Sequence, residues 1–370
     1  MLPKLLVALS NECFFYHRIV INTGYLISFF FDKIYFMKKI VEPLLEWYKK
    51  NKRDLPWRED HNPYHVWISE IMLQQTRIEA VIDYYKRFMK RIPDIKTLSL
   101  ISEDELLKLW EGLGYYSRAR NLKKAATMIM AEYDGVFPHT YEQIKQLPGI
   151  GEYTAGAISS ISFSLKEVAI DGNVLRVYSR VKYLDIDVSD SKIKKEVGTS
   201  LKKILPADSG DFNQGIMELG ETICLPNGSP KCDICPIGNY CKAHLKHDEM
   251  KYPRKTVKVK KTEEDYTVFL FICNGNVAIR KRQDGLLKNM WEFPNEAGFL
   301  EINQIPYSNV TPGISNTHIF THKKWNMISY IIYLDQEIDG YEWVSISEIE
   351  SNYAIPTAFQ PFLKQLKKNI

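Results

Sequence analysis

Four of the six cysteines in this 370-residue chain stand close together, at Cys224, Cys232, Cys235 and Cys241. A stretch that gathers four thiols so tightly folds around something. Four thiolates can converge on a tetrahedral zinc or on a [4Fe–4S] cluster. Gly228, Pro230, Pro236 and Gly238 let the backbone turn between them. Spacing alone leaves both metals open, and either can serve as a fold staple rather than a reaction centre. Such clustering in a long chain reads as a metal site rather than a disulfide framework, which points to a reducing, cytoplasmic compartment.

The rest of the chain sorts by periodicity. Its length suits two domains and a linker. From Met37 to about Ala243 apolar residues recur at helical spacing, as in Val66, Trp67, Ile71 and Met72. Residues 246–262 are basic and read as an exposed linker, either a solvated tether or a contact to DNA phosphates. After Glu264 the pattern turns to strands, with Asn274-Gly275 as a hairpin signal. A small α+β domain therefore covers 263–370. Residues 1–36 are rich in Phe, Ile and Leu and lack helix signals. The run from Ile19 to Phe31 is too short to span a bilayer, so no membrane is expected. We read Met37 as the natural start and 1–36 as an extension. A net charge of +4 excludes a globally basic chain, so any nucleic-acid footprint is local.

Three further segments carry chemistry. Leu147-Pro148-Gly149-Ile150-Gly151 falls between two helical patterns, with Tyr153 and Thr154 opening the second. Its turn amides, unobstructed at Gly149 and Gly151, can approach a phosphate beside a helix N-terminus, or it is an ordinary helix turn. Ile170-Asp171-Gly172-Asn173 places a carboxylate just before an apolar helix, where Asp also serves as a plain N-cap. Glu70 sits among apolar neighbours in Trp67-Ile68-Ser69-Glu70-Ile71-Met72-Leu73-Gln74-Gln75-Thr76. Buried there, it can stay protonated and act as a general acid; exposed, it is an ordinary helical glutamate.

Together with Leu55-Pro56-Trp57-Arg58 and Gly112-Leu113-Gly114-Tyr115-Tyr116-Ser117-Arg118, these segments resemble the endonuclease III superfamily of helix–hairpin–helix glycosylases. Within it the chain is similar to the MutY adenine glycosylases, from about Met37 to the C-terminus. The resemblance implies an all-α glycosylase core over 37–245 with a [4Fe–4S] cluster on the four cysteines. It also implies a monomer acting on duplex DNA that holds adenine opposite 8-oxoguanine or guanine. The base leaves the stack to be reached. Glu70 matches the acid that protonates adenine, and Asp171 the carboxylate that stabilises the oxocarbenium-like sugar. Tyr153 and Asn173 match residues ordering that pocket, and Arg58 and Leu73 match its lining. Gln75 and Tyr115 match wedge residues that enter the duplex, with Thr76 and Leu113 in the same DNA-facing segments.

Bifunctional relatives place a lysine where Tyr153 stands, and a phenol cannot form a Schiff base. A monofunctional hydrolase is therefore expected. The cysteine spacing departs from the family: seven residues separate Cys224 from Cys232 where six are usual, so a bulge is expected at Leu225-Pro226-Asn227-Gly228. The C-terminal domain resembles a MutT/Nudix fold through Gly285-Leu286-Leu287-Lys288-Asn289-Met290-Trp291-Glu292-Phe293-Pro294. It lacks the glutamate run that holds magnesium, so it reads as an 8-oxoguanine recognition module. Phe320-Thr321-His322 matches the family's Phe-Ser-His lesion loop, or is a plain strand-end turn. A lyase acting on oxidised pyrimidines, a non-enzymatic binding or redox protein and a nucleotide pyrophosphohydrolase are the competing readings.

Overall fold

The computed structural model describes residues 36–254, 260–307 and 309–369. The expected extension up to residue 35 therefore lies outside the described residues, while Met37 is buried in a helical core. The helices are α1 (Val41–Asn51), α2 (Pro63–Leu73), α3 (Ile78–Arg91), α4 (Ile95–Leu100), α5 (Glu103–Leu109), α6 (Ser117–Glu132), α7 (Tyr141–Gln146), α8 (Glu152–Phe163), α9 (Gly172–Lys182), α10 (Ser191–Lys202), α11 (Ser209–Thr222) and α12 (Lys242–Leu245). The strands β1 (Thr262–Cys273), β2 (Asn276–Lys281), β3 (Trp291–Glu292), β4 (Asn295–Ala297), β5 (Val310–Ile319), β6 (Lys323–Tyr333) and β7 (Glu342–Val344) follow, with α13 (Ile346–Asn352) and α14 (Gln360–Asn369) at the end. Among the described residues no helix is long and apolar enough to cross a membrane.

The chain packs as two compact units. Among the described residues, one holds 36–66, 139–146 and 150–254; the other holds 67–138, 147–149, 260–307 and 309–369. In the first unit α1, α9 and α11 bury Ile40, Leu44, Val174, Val177, Phe212, Ile216 and Leu219 against one another. Close approach of helix α8 to its surroundings is made possible by small residues. A Cβ on Gly156 would lie 2.0 Å from the Val168 carbonyl oxygen, and one on Gly210 2.8 Å from that of Ser160. Asn213 locks the same contact, its amide donating to Ser160 Oγ and to the Glu167 carbonyl at 2.9 Å each.

The start of the basic segment 246–262 makes specific contacts within this unit while Lys246, Lys251 and Arg254 stay exposed, and residues 255–259 lie outside the described residues. Arg180 Nε donates to the Tyr252 carbonyl at 2.9 Å. Arg254 pairs with Asp185 at 2.7 Å, and the Tyr252 ring lies 4.7 Å from that of Tyr183. Pairing with α9 and the residues after it holds Tyr252 and Arg254.

In the second unit the strand-rich domain forms a sheet of order β3-β2-β1-β6-β5, with β4 on β1 and β7 on β2. β1 and β6 pair in parallel from Thr262↔Lys323 to Ile272↔Tyr333. Cores packed on both sides of the sheet bury both faces of β1, which explains its nearly continuous apolar run. Val268, Leu270 and Ile272 face a core shared with Phe359, Phe362 and Leu366, while Phe269 and Phe271 face a second core. Asn274 (φ 49°) and Gly275 (φ 79°) make the β1–β2 hairpin turn that the Asn-Gly pair announces.

Candidate active site and metal centre

Asp171 is at once a helix cap and a candidate catalytic carboxylate. It occupies the N-cap of α9, where Oδ1 accepts from the Val174 amide at 2.8 Å and Oδ2 from Asn173 Nδ2 at 2.8 Å. Burial raises its pKa above the usual carboxylate value, against the lowering effect of the Val174 amide, Asn173 and Arg176. Asn173 is itself held, because Arg176 Nη2 donates to its Oδ1 at 2.7 Å. Arg176 is 7% exposed, and also donates to the Gly220 and Cys224 carbonyls at 2.8 Å each. A continuous chain of hydrogen bonds thus runs from Asp171 through Asn173 and Arg176 to the backbone of the first cysteine. Neither Arg176 nor this chain stands out in the sequence, since an arginine in a helix is usually a solvated one.

Arg58 and Tyr153 lie in the same unit. Arg58 Nη2 donates to Glu218 at 2.9 Å, and its guanidinium lies 5.6 Å from the centre of the Tyr48 ring. Glu218 is buried and is shared with Arg53 at 2.5 Å. Burial opposes its charge, yet the two arginines hold its pKa below the usual range. Tyr153 stands in the first turn of α8 and its hydroxyl lies 3.4 Å from Met217 Sδ. Gly149 has φ +81°, and a Cβ there would meet that of Asn121 at 2.7 Å, so this turn position demands glycine. Gly151 is extended, open in space, and caps α8 without a side-chain bond.

Glu70 belongs to the second unit, on α2. It is 8% exposed, with Trp67, Ile68, Ile71 and Met72 buried around it. The alternative of a solvated helical glutamate is therefore excluded. Leu73 is half-buried at the end of the helix, Gln75 is exposed and Leu113 is buried. Gln75 (φ 58°) and Tyr115 (φ 47°) both take the left-handed backbone that non-glycine residues rarely adopt. One side chain holds both loops. Arg118 Nη1 donates to the carbonyls of Ile71, Met72 and Gln74 at 2.6, 3.0 and 2.7 Å. Its Nη2 donates to Leu113 and Gly114 at 3.1 Å each and lies 3.5 Å from Thr76 Oγ1. Burial lowers its pKa to about 10. The Tyr115 hydroxyl meets Thr321 Oγ1 at 2.5 Å, which brings these two candidate residues together. Thr321 and His322 are exposed. Phe320 instead packs edge-on against Trp325 at 4.8 Å, so its ring anchors the turn. Sequence reasoning missed Arg118 as the clamp, although it closes the Gly-Tyr-Tyr-Ser-Arg segment.

The four cysteines line one cavity in the first unit together with Val177, Val181, Leu219 and Ile237, and none is in a disulfide. Arg180 Nη1 lies 3.2 Å from Cys224 Sγ and 3.0 Å from the Leu225 carbonyl. The extra residue before Cys232 therefore does not pull Cys224 from the cavity; Gly228 (φ +74°) takes up the turn. Burial pushes the Cys232 and Cys235 thiols up to about 12 and also raises Cys241, with neighbouring sulfurs adding to the effect. Four sulfurs in an apolar cavity are poor thiolates alone and good ones around a cation. The residues present thus fit a metal group of the iron–sulfur kind.

Residues 68–206 match the family model described as HhH-GPD superfamily base excision DNA repair protein, and residues 267–365 match that of the NUDIX domain. The adenine DNA glycosylase of Buchnera aphidicola subsp. Acyrthosiphon pisum is 36% identical over 343 residues, 88% of this chain and 97% of that protein. The adenine DNA glycosylase of Homo sapiens is 43% identical over 216 residues, 56% of this chain and 39% of that one. Among solved structures, a thermostable thymine-DNA glycosylase is similar with a TM-score of 0.51 and 28% identity, over 56% of this chain and 97% of that one. With a helical core of this fold, a Nudix-like domain after it in the chain and a relative matched along nearly its whole length, the chain belongs to the adenine DNA glycosylase family.

Proposed function

We propose that this protein excises adenine mispaired with 8-oxoguanine or guanine from duplex DNA by hydrolysing the N-glycosidic bond. The observation that carries the reading is the doubly held carboxylate of Asp171, with oxygens fixed by the Val174 amide and by Asn173. A fixed carboxylate stabilises positive charge on a sugar without reorganising. Glu70, buried on α2, is the acid that protonates the departing adenine. Water then completes the hydrolysis, because Tyr153 offers no amine for a Schiff base. Gln75 and Tyr115 enter the duplex as the base is extruded, Arg58 and Leu73 line the adenine pocket, and the amides around Gly149 and Gly151 seat a phosphate. Thr321 and His322 read the opposite base, with Phe320 as their anchor. Cys224, Cys232, Cys235 and Cys241 hold a [4Fe–4S] cluster, which supplies a covalent staple for the fold when bound. The same proposal has the chain act as a monomer in a reducing cytoplasm.

Duplex oligonucleotides with adenine opposite 8-oxoguanine, guanine or thymine test the reading on a denaturing gel. Cleavage at adenine only after alkali, strongest opposite 8-oxoguanine, is expected, with no borohydride-trapped adduct. Glu70→Gln should lower the single-turnover rate by about 10²–10⁴-fold while DNA binding persists. Cleavage without alkali would support a lyase instead.

A further inference from the structure

We propose that Cys232, His244 and Glu249 form a mononuclear site for a divalent cation of the zinc class, built into the rim of the cysteine cavity. One ligand atom from each of the three residues lies within 4.8 Å of the others. Thiolate, imidazole and carboxylate are the ligand types zinc takes, with a fourth position left for water. The set is held together before any cation arrives. His244 stands on α12 with Nδ1 2.7 Å from Glu249 Oε1, and the Glu249 carboxylate also bonds the Cys232 side chain. All three are half-buried and line the same cavity as the remaining cysteines.

Charge separates this site from the cluster. Four thiolates around a [4Fe–4S] core leave that assembly net negative, so a carboxylate at one corner is a like charge at short range. A bare divalent cation wants the reverse, because one thiolate and one carboxylate match its charge and an imidazole completes the set. Cys232 cannot serve both groups at once. A cation in the rim site therefore excludes the complete cluster and must leave before the cluster is assembled. This inference does not depend on the glycosylase reading, and its test reads metal rather than activity.

The full-length chain is produced in iron-poor medium, once with added zinc and once with cobalt as a spectroscopic stand-in. Metal is counted per chain and the thiolate-to-cobalt absorption recorded. The iron-free fraction should carry one cation per chain. His244→Ala and Glu249→Gln should each weaken cobalt affinity by about tenfold or more, whereas Cys235→Ser leaves it unchanged. Affinity untouched by the first two substitutions but abolished by Cys235→Ser would mean an ordinary four-thiol site and would overturn the proposal, as would a chain that takes up no cobalt. If Cys235→Ser does not fold, the wild-type spectrum decides. A charge-transfer intensity of one thiolate supports the rim site, and that of two or more overturns it.

Discussion

Asp171 caps a helix and, in the proposed reaction, meets a cation; both roles favour the ionised carboxylate, and burial opposes it. Its carboxylate is buried, and its pKa is raised. Catalysis needs the ionised form, so the excision rate should fall as pH drops through that raised value, above the ~3.9 of an ordinary aspartate. Single-turnover rates against pH check this. Stability carries the opposite sign. The folded chain holds the Asp171 proton more tightly than the unfolded chain, so ionisation costs stability above the folded pKa and costs nothing below the unfolded one. Asp171→Asn keeps the cap and removes the titration. It should abolish excision and melt above the wild type at pH 8, with the gap closing as pH approaches about 4. A variant that melts lower at every pH would show that the cap, not the charge, dominates.

At the scale of elements, two devices set the geometry. Arg118 is nearly enclosed and spends both its terminal nitrogens on the carbonyls that end α2 and precede α6. Lysine keeps the charge but cannot fork between two loops. Arg118→Lys should therefore retain the helices by circular dichroism yet lose about 3 kcal/mol of stability, with DNA binding impaired along with it. The second device is the close approach of α8 to the backbone at Val168, which leaves no room for a Cβ at Gly156. Gly156→Ala should cost about 1–3 kcal/mol by overpacking, read as a lower midpoint in denaturant with an unchanged slope. Both elements are legible as helices from their apolar period. Their meeting is not, because glycine in a helix looks like a weak helix former until its neighbour is known.

At the scale of the whole molecule the cluster proposed for the four cysteines is a stability term for one unit. The cysteine cavity backs onto Val177, Val181 and Leu219, which belong to the core of the first unit. Chelating the metal leaves buried thiols and an apolar void, so the first unit should melt earlier while the transition of the strand-rich domain stays in place. Acid should speed the loss, since protons compete for the thiolates. Differential scanning calorimetry before and after chelation checks both statements. Coincident shifts of every transition would instead mean that the units unfold as one.

Local stereochemistry is what the sequence by itself determined. Asn274-Gly275 takes a left-handed turn wherever it stands, Gly149 is demanded by its own φ, Asp171 caps the helix that follows it, and four closely spaced cysteines can reach one another without help from distant segments. Tertiary structure alone decided the rest. Glu70 is a buried acid only in the folded chain, since an amphipathic pattern does not say how deeply its helix is covered. Arg118 and Arg176 matter through carbonyls far away in the chain, and Tyr252 and Arg254 are held because Asp185, Arg180 and Tyr183 are there to receive them. Period and turn chemistry act over a few residues. Burial and long-range pairing depend on which segments meet, and no local pattern in this chain encodes that meeting.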